Sequence, residues 1–548
     1  MNFKVFFNIC GTFHLLLAAL LLLPLFWCFY FEINEQLGFW FIISSLLMVA
    51  VGLLFRRIGK GAPSVLMPRD ALGIVTYTWI ALAITGALPY RVSGAVPNFA
   101  DAFFESVSGF TTTGSTILND IESLPKALHL WRTLTHWIGG LGVVVLFVSI
   151  FPSLGVGGKS LFKMEVPGPI TESVTPKIKD TSRNLWYTYL GLTLLETALL
   201  RTLGKMSWFD ALTHSFSTMA TGGFSTKNAS ITAFNSPTIE WIVLIFMFLA
   251  GANFGLYYLL SKWQWRVVYK DAELRFYLTL TLISAGLIAL MLWMGGYQLD
   301  QKDLALLQSQ GLPLKTIDQL EKLKDQRFHK KETFTDSINQ ATEGSLSENL
   351  KTIVVTQADR NYSVHHAVRS ALFQVIALIT TTGFASDDYE RYPVSGHLII
   401  FYLLFTGGCA GSTAGGLKLF RVVLIGKTLF HEIQMSFRPS LISKIRVGNT
   451  VISNDLFRPV LAFVGVYFSF VTFGALFLGI EGHDMLTALT ASMTAVGNVG
   501  PGFGTVGPTE SFAHFSVEAK YVLATLMLLG RLEFFTVLGV LHHKFWVR

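Results

Sequence analysis

The chain has 548 residues, of which 51% are hydrophobic and only 14% are charged, with a formal net charge of +7. Its mean hydropathy is +0.51. Soluble domains carry roughly 25% charged residues, so this composition excludes an ordinary water-soluble protein and predicts a chain that crosses a membrane several times. The basic balance is more typical of Lys and Arg on cytoplasmic loops than of nucleic-acid binding.

Ten apolar segments are long enough, at about 20 residues each, to be predicted as membrane-spanning helices. They lie near residues 5–30, 38–56, 71–90, 129–153, 185–203, 238–261, 275–296, 394–430, 457–480 and 517–543. The first segment follows Lys4, as in a signal peptide, but its apolar run is too long and no A-x-A site follows it. We therefore interpret it as a retained helix.

Four shorter, semi-polar segments alternate with these spans near 100–112, 209–221, 367–381 and 485–497. Each ends in a motif rich in glycine and small polar residues: SVSGFTTTGST (106–116), SFSTMATGGFST (215–226), ALITTTGFAS (377–386) and TAVGNVGPGFG (494–504). Repetition of this kind indicates that the fold is built from repeated structural units. We expect an all-α polytopic membrane protein with a helix pair at 1–60 and four helix, short helix, helix units at 70–155, 184–265, 274–432 and 456–548.

Lys and Arg concentrate in alternate loops, for example after the second span (Arg56, Arg57 and Lys60) and at the C-terminus (Lys544 and Arg548). This bias places both termini in the cytoplasm and the four motifs on the outer side. The polar segment 298–365 is then an extracellular insertion in the third unit, and its mixed charges are typical of a solvated helix.

Each of the four short helices is too short to cross the membrane, so non-helical backbone follows it at membrane depth. Such backbone is stable only when it is buried in protein or faces a water-filled cavity. A single Thr-Gly step in a membrane helix is most simply a packing contact. Four copies in the same context favour a shared axis, where backbone carbonyls replace the hydration shell of an alkali cation. The motifs therefore predict a cation filter.

These motifs and their order resemble the Trk/Ktr/HKT superfamily of potassium transporters over essentially residues 70–548. The extra helix pair and the stretch GGCAGSTAGGLKLFR in the third unit favour one branch of it, whereas the long 298–365 insertion departs from its pattern. The resemblance implies a potassium-binding filter at twelve positions: Thr112, Thr113, Gly114, Thr221, Gly222, Gly223, Thr381, Thr382, Gly383, Asn498, Val499 and Gly500. Since all four filter glycines are present, and members with Ser there tend to pass sodium, potassium is the expected ion.

The segment 407–416 (GGCAGSTAGG) is half glycine, so a helix there would cost roughly 1 kcal/mol per glycine relative to alanine. The resemblance implies an intramembrane loop below the filter that gates the pathway, with Gly407, Gly408, Gly411, Gly415 and Gly416 as its glycines. The alternative is a kinked packing helix.

Arg531 lies in the last predicted span, where a charge is expensive and should face a cavity or a partner. In the superfamily a matching Arg stands in the pore, so Arg531 is expected to bond to carbonyls of the 407–416 loop and hold the closed state. Glu533 is two positions further along the predicted helix, on a different side. The alternative is a helix-to-helix clamp away from the pore.

The resemblance further implies a bacterial inner-membrane protein, a homodimer, and a separate cytosolic nucleotide-binding subunit of RCK type that regulates it. No covalently bound cofactor is expected. Enzyme and ATP-driven pump functions are disfavoured, because neither 407–416 nor 155–160 (GVGGKS) fits a Walker A motif. A secondary transporter with inverted repeats is disfavoured because the four units run in one direction. A sodium-permeable channel or a cation-coupled potassium symporter of the same superfamily remains the alternative.

Overall fold

The computed structural model describes residues 2–62, 68–150, 178–295, 314–324, 331–342, 363–438, 445–447, 450–451 and 454–546. Across these residues the chain is helical, as the sequence predicts. The described strands are a single antiparallel pair of two residues each, β1 (Arg446–Val447) and β2 (Thr450–Val451). The protein is therefore mostly α-helical, with loops that link helices of very different lengths.

The helices of the first half are α1 (Phe3–Leu20), α2 (Leu22–Trp27), α3 (Glu35–Ile58), α4 (Pro68–Gly86), α5 (Leu88–Val92), α6 (Phe99–Phe110), α7 (Lys126–Ile150), α8 (Ile178–Thr202), α9 (Trp208–Met219), α10 (Pro237–Gly251), α11 (Phe254–Ser261) and α12 (Trp265–Tyr269). Those of the second half are α13 (Ala272–Gly295), α14 (Leu314–Lys324), α15 (Lys331–Thr342), α16 (Val364–Ile379), α17 (Val394–Leu403), α18 (Leu419–Phe437), α19 (Asn454–Ile480), α20 (Met485–Gly497), α21 (Val517–Arg531) and α22 (Phe534–Leu541).

Five stretches of the described chain are long and apolar enough to cross a membrane: Phe3–Glu32, Glu35–Ile58, Leu72–Val92, Ala272–Met294 and Phe457–Ile480. Two bent helix pairs raise this number to seven if each pair is one span. The protein is therefore a membrane protein with several apolar helices, whereas the predicted total of ten spans stays a prediction.

Two of the predicted spans are bent helix pairs and not straight helices. The segment 238–261 divides into α10 and α11, which meet at 95°, and the segment 517–543 divides into α21 and α22, which meet at 111°. At the first break the N–H of Cys409 bonds to Gly251 O (2.9 Å) and the N–H of Phe254 bonds to Gly411 O (3.1 Å). The break is tolerated because another segment satisfies the backbone groups that it frees.

At the second break Glu533 adopts a positive φ (58°, with ψ 129°) between α21 and α22. Arg531 is thus the last residue of its helix and not a mid-helix residue as predicted. The prediction placed Arg531 and Glu533 on different sides of one continuous helix. This was wrong, because the helix ends at Arg531 and Glu533 lies outside it.

The four short helices α6, α9, α16 and α20 lie close to the predicted positions. Side chains cap three of them: Asn98 accepts the N–H of Ala100, Ser207 accepts that of Asp210, and Asp484 accepts those of two residues. Such caps satisfy N-terminal donors that a helix leaves open. These local sequences therefore begin new helices rather than continue the preceding spans.

The contacts divide the chain into two compact units, one of residues 1–278, 377–384 and 404–548, the other of residues 279–376 and 385–403. In the second unit, α14 and α15 bury Leu320, Phe334 and Ile338 almost completely. The insertion 298–365, predicted as a solvated segment, thus contains packed helices where it is described. Residues 298–313, 325–330 and 343–362 of it lie outside the described part.

Candidate functional site

The four motifs share one backbone conformation, which identifies equivalent positions without reference to side chains. The first residue is left-handed in each: Thr112 (φ 53°), Thr221 (φ 54°), Thr381 (φ 54°) and Asn498 (φ 53°). The third is a glycine with positive φ in each: Gly114 (85°), Gly223 (83°), Gly383 (72°) and Gly500 (99°). Positive φ in a β-branched residue is strained, and strain of this kind clusters at functional sites.

Each short helix ends in a Schellman motif that turns the chain into the motif. The N–H of the left-handed residue bonds to the carbonyl three residues back, and the next N–H bonds to the carbonyl five residues back, with N···O distances between 2.8 and 3.3 Å. This pair of bonds satisfies carbonyls at the helix end. All four helices thus deliver their C-terminal ends, which favour cations, to the start of a motif.

The four motifs close into a ring, because each glycine abuts a carbonyl of another motif. A Cβ added at any of these glycines would lie under 3.0 Å from that oxygen. The partners are Gly114 with Gly222 O, Gly223 with Thr382 O, Gly383 with Val499 O, and Gly500 with Thr113 O. The contacts thus run from the first motif to the second, third and fourth and back to the first. In each contact the carbonyl belongs to the middle residue of its motif.

The ring is built from backbone and neutral side chains. Among its polar side chains, Thr112, Thr113, Thr221, Thr381, Thr382 and Asn498 are all buried. Asn498 replaces threonine in the fourth motif and braces it, donating from Nδ2 to Thr113 Oγ1 (2.9 Å) and to Met527 O (2.9 Å). The site therefore offers uncharged oxygens and peptide dipoles, which suit a weakly held cation better than an anion.

The glycine-rich loop (407–416) interrupts the predicted span 394–430 at the expected place. Its ends meet side by side, since Thr406 and Leu417 form a parallel bridge and Gly407 N–H donates to Leu417 O (2.8 Å). Gly411 (φ 73°) and Gly416 (φ 65°) adopt conformations that other residues avoid. The segment is thus a closed loop and not a kinked packing helix.

The loop contacts the ring and the ends of neighbouring helices. Gly415 N–H donates to the Oγ1 of Thr381, the left-handed residue of the third motif (2.7 Å). Thr413 Oγ1 lies 3.1 Å from Met219 O, at the end of α9, and 3.3 Å from Ala250 O in α10. The loop therefore lies against the C-terminal side of the short helices.

Arg531 joins the loop from the end of α21, where its side chain is 5% exposed. Its Nη1 donates to Thr413 O (2.7 Å), and its Nη2 donates to Gly139 O in α7 (3.2 Å). The predicted bond between Arg531 and a carbonyl of the loop is thus present in the geometry. The second bond, to α7, was not expected.

Glu533 pairs with another cation, as its position outside the helix allows. Arg421 Nη2 donates to the two carboxylate oxygens of Glu533 at 2.9 and 3.0 Å. Arg421 lies in the first turn of α18, directly after the loop. The break at the end of α21 is therefore held to the loop through Arg531 and to the helix that follows the loop through Glu533.

Sequence reasoning missed two residues that hold the loop. Glu273, in the first turn of α13 and 4% exposed, accepts the N–H groups of Ala410 (2.8 Å) and Phe420 (2.9 Å) through Oε1. Asn253 caps α11 by accepting Gly255 N–H (2.8 Å) and packs beside Gly411. Two sequence signals could have identified them. One is an acidic residue at the start of an apolar span, and the other is a Gly-Ala-Asn step inside another span.

A family model described as a cation transport protein, TrkH, matches residues 41–544. A Trk system potassium uptake protein TrkH of Salmonella typhimurium is 32% identical over 550 residues and both chains are covered completely. A TrkH of Halomonas elongata is 33% identical with 93% of each chain covered. The crystal structure of the potassium transporter TrkH from Vibrio parahaemolyticus matches all of this chain and all of its own, with a TM-score of 0.79 and 29% identity.

The matched family is one of transporters and not of enzymes. Within the described residues, no group of three or more His, Cys, Asp and Glu side chains is placed to hold a metal ion. The site consists instead of a ring of carbonyls, a loop pressed against it and an arginine that bonds to the loop. With the family model covering most of its length, the chain belongs to the TrkH family of cation transport proteins.

Proposed function

We propose that the chain carries potassium ions across a bacterial inner membrane, down the electrochemical gradient of the ion, through the ring of four motifs. One observation carries the proposal: each motif glycine abuts the middle carbonyl of another motif, and the contacts close on themselves. The names of the full-length relatives as potassium uptake proteins support the choice of ion.

The ring supplies what dehydration of potassium requires. Carbonyl oxygens at the motifs replace water around the ion, while the C-terminal ends of four short helices add a favourable potential. The ion itself is the substrate, and the twelve motif residues from Thr112 to Gly500 form the filter in this proposal. Glycine at the third position lets neighbouring motifs approach closely enough to share one axis.

The glycine-rich loop and Arg531 form the gate in this proposal. A fixed guanidinium near the ion path raises the barrier for a cation, and its bond to Thr413 O holds it together with the loop. Opening requires this bond to break and the loop to move away from the third motif. The Arg421–Glu533 ion pair connects that movement to α22.

The wider architecture proposed here has ten membrane spans, four pseudo-repeated units and both termini in the cytoplasm. It is supported by the repeated backbone geometry of the motifs and by basic residues such as Arg56 and Arg57 at the end of α3. We propose a homodimer that binds a cytosolic, nucleotide-binding, TrkA-like subunit of RCK type on this basic face. The resemblance described above supports both partners.

A test of the function is ion competition in purified, lipid-reconstituted protein. Rubidium uptake should need no ATP hydrolysis, and potassium should compete for it far better than sodium. Equal competition by sodium would favour the sodium-permeable alternative. Uptake that stops when proton and sodium gradients are both removed would favour a cation-coupled symporter.

A further inference from the structure

A fully buried ion pair lies behind the first and second motifs. Glu105 in α6 and Arg132 in α7 both have side chains with 0% exposure, and Arg132 Nε lies 2.6 Å from Glu105 Oε1. Burying two charges is unfavourable unless further hydrogen bonds satisfy them. The remaining contacts of each partner show what the pair holds in place.

Glu105 holds the segment that follows the first motif. Its carboxylate accepts the hydroxyl of Thr116 (3.0 and 3.1 Å to the two oxygens) and the N–H of Ile117 (3.1 Å). Thr116 lies two residues after Gly114. The carboxylate therefore fixes the exit of the first motif directly from its own short helix.

Arg132 holds the segment that follows the second motif. Its Nη1 donates to Ser225 O (3.2 Å), two residues after Gly223, and its guanidinium lies 3.8 Å from the centre of the Phe224 ring. The Phe224 ring stacks on His136 with centroids 4.0 Å apart. The imidazole of His136 in turn occupies the space beside Gly222, where a Cβ would clash with it.

The carboxylate of this ion pair has no counterpart at the equivalent position of the other three short helices. Counting seven residues back from the left-handed residue of each motif gives Glu105, His214, Gln374 and Ala491. His214 bonds to Ser225 Oγ (2.9 Å), and Gln374 bonds to Asp387 O (3.0 Å). In three of the four short helices, the residue at this position therefore bonds to the segment that follows the motif. Only the first short helix has a carboxylate there.

We propose that the Glu105–Arg132 pair is a positioning element for cation selection, with two separable effects. Glu105 cancels the charge that Arg132 would otherwise present to an ion in the ring. Arg132, through Ser225 and Phe224, keeps the second motif in register with the first. The inference rests on the proposed filter and deepens it, since it assigns part of the selectivity to residues that do not touch the ion.

The two effects call for different substitutions. Glu105→Gln keeps the shape but leaves a buried positive charge that repels the ion, so rubidium flux should fall roughly tenfold. Arg132→Lys keeps the charge but lacks the planar fork that reaches both Glu105 and Ser225, so discrimination of potassium against sodium should fall. The double variant Glu105→Gln with Arg132→Met removes both charges, so flux should recover while discrimination stays low.

The chain offers a matched control in Lys227 and Glu122, an exposed ion pair (3.1 Å) that also joins the segments after the two motifs. Glu122→Gln should leave flux and discrimination unchanged, since exposed pairs contribute little. Gly223→Ala reports on the filter itself. All variants are measured as full-length protein in liposomes, after size-exclusion and thermal-unfolding checks.

The inference is overturned if folded Glu105→Gln protein conducts like wild type, or if the double variant is as slow as that single variant. Should Glu105→Gln fail to fold, Arg132→Lys and the double variant decide: wild-type discrimination in both overturns the inference. If Gly223→Ala lowers discrimination while the pair variants do not, the filter stands and only the inference fails. If Gly223→Ala also changes nothing, the proposed filter fails.

Discussion

Arg531 donates a hydrogen bond to Thr413 O (2.7 Å), which joins the end of α21 to the middle of the glycine-rich loop. The hydroxyl of the same threonine bonds to Met219 O at the end of α9 (3.1 Å). Thr413 thus connects Arg531 to the C-terminal end of the short helix that precedes the second motif. In the proposed mechanism this contact keeps the pathway closed.

Replacing Arg531 with Ala should increase conduction. The substitution removes a fixed positive charge and a charge-assisted bond to Thr413 O, each of which favours the closed state. Since such a bond contributes about 1.5–3 kcal/mol, flux should rise roughly tenfold or more. Rubidium flux on matched amounts of folded protein measures this, with Arg531→Lys as the variant that keeps the charge. Slower conduction with folding intact would support a structural clamp instead.

Removing the glycine-rich loop should also raise flux. Because Thr406 and Leu417 already lie side by side, at a strand spacing of about 4.8 Å, a deletion of 407–416 can be closed by small movements. Flux should increase while folding and insertion into the membrane are retained. A well-folded deletion protein that conducts no faster would favour a packing role for the segment.

Glu273 should help to hold the loop closed through contacts separate from those of Arg531. Glu273→Ala leaves the N–H groups of Ala410 and Phe420 without their acceptor, at a cost of about 1–3 kcal/mol for each buried group. We expect a higher resting flux and a lower unfolding temperature. Glu273→Gln keeps an acceptor oxygen and should lie close to wild type in flux. Equal resting flux in the Ala variant and wild type would contradict this role.

Serine at any one of the four motif glycines should lower discrimination between potassium and sodium. A Cβ opposes positive φ and meets a carbonyl of another motif. The effect should be smallest at Gly500, whose Cβ would lie 2.8 Å from Thr113 O, farther than at the other three. Gly465→Ser is a matched control, because a Cβ there meets nothing within 4 Å. Unchanged selectivity at all four positions would refute the filter assignment.

The sequence was sufficient to predict the short helices, the motifs and the split at 407–416, because each depends on local composition. It did not predict the breaks after Gly251 and Arg531. The first break is stable because the N–H of the distant Cys409 bonds to the freed Gly251 O. At the second break the distant contacts come from side chains, since Arg531 bonds to Thr413 O and Glu533 pairs with Arg421. The order of motifs around the ring and the role of Glu273 likewise depend on long-range contacts that no local pattern records.

The most direct test of the account is the reversal potential of currents through the reconstituted chain, with potassium on one side of the bilayer and sodium on the other. A filter formed by the four motifs predicts a large reversal potential of the sign expected for potassium, unaffected by a proton gradient, and reduced in Gly223→Ser. A reversal potential near zero in the wild-type protein would contradict potassium selection at the ring.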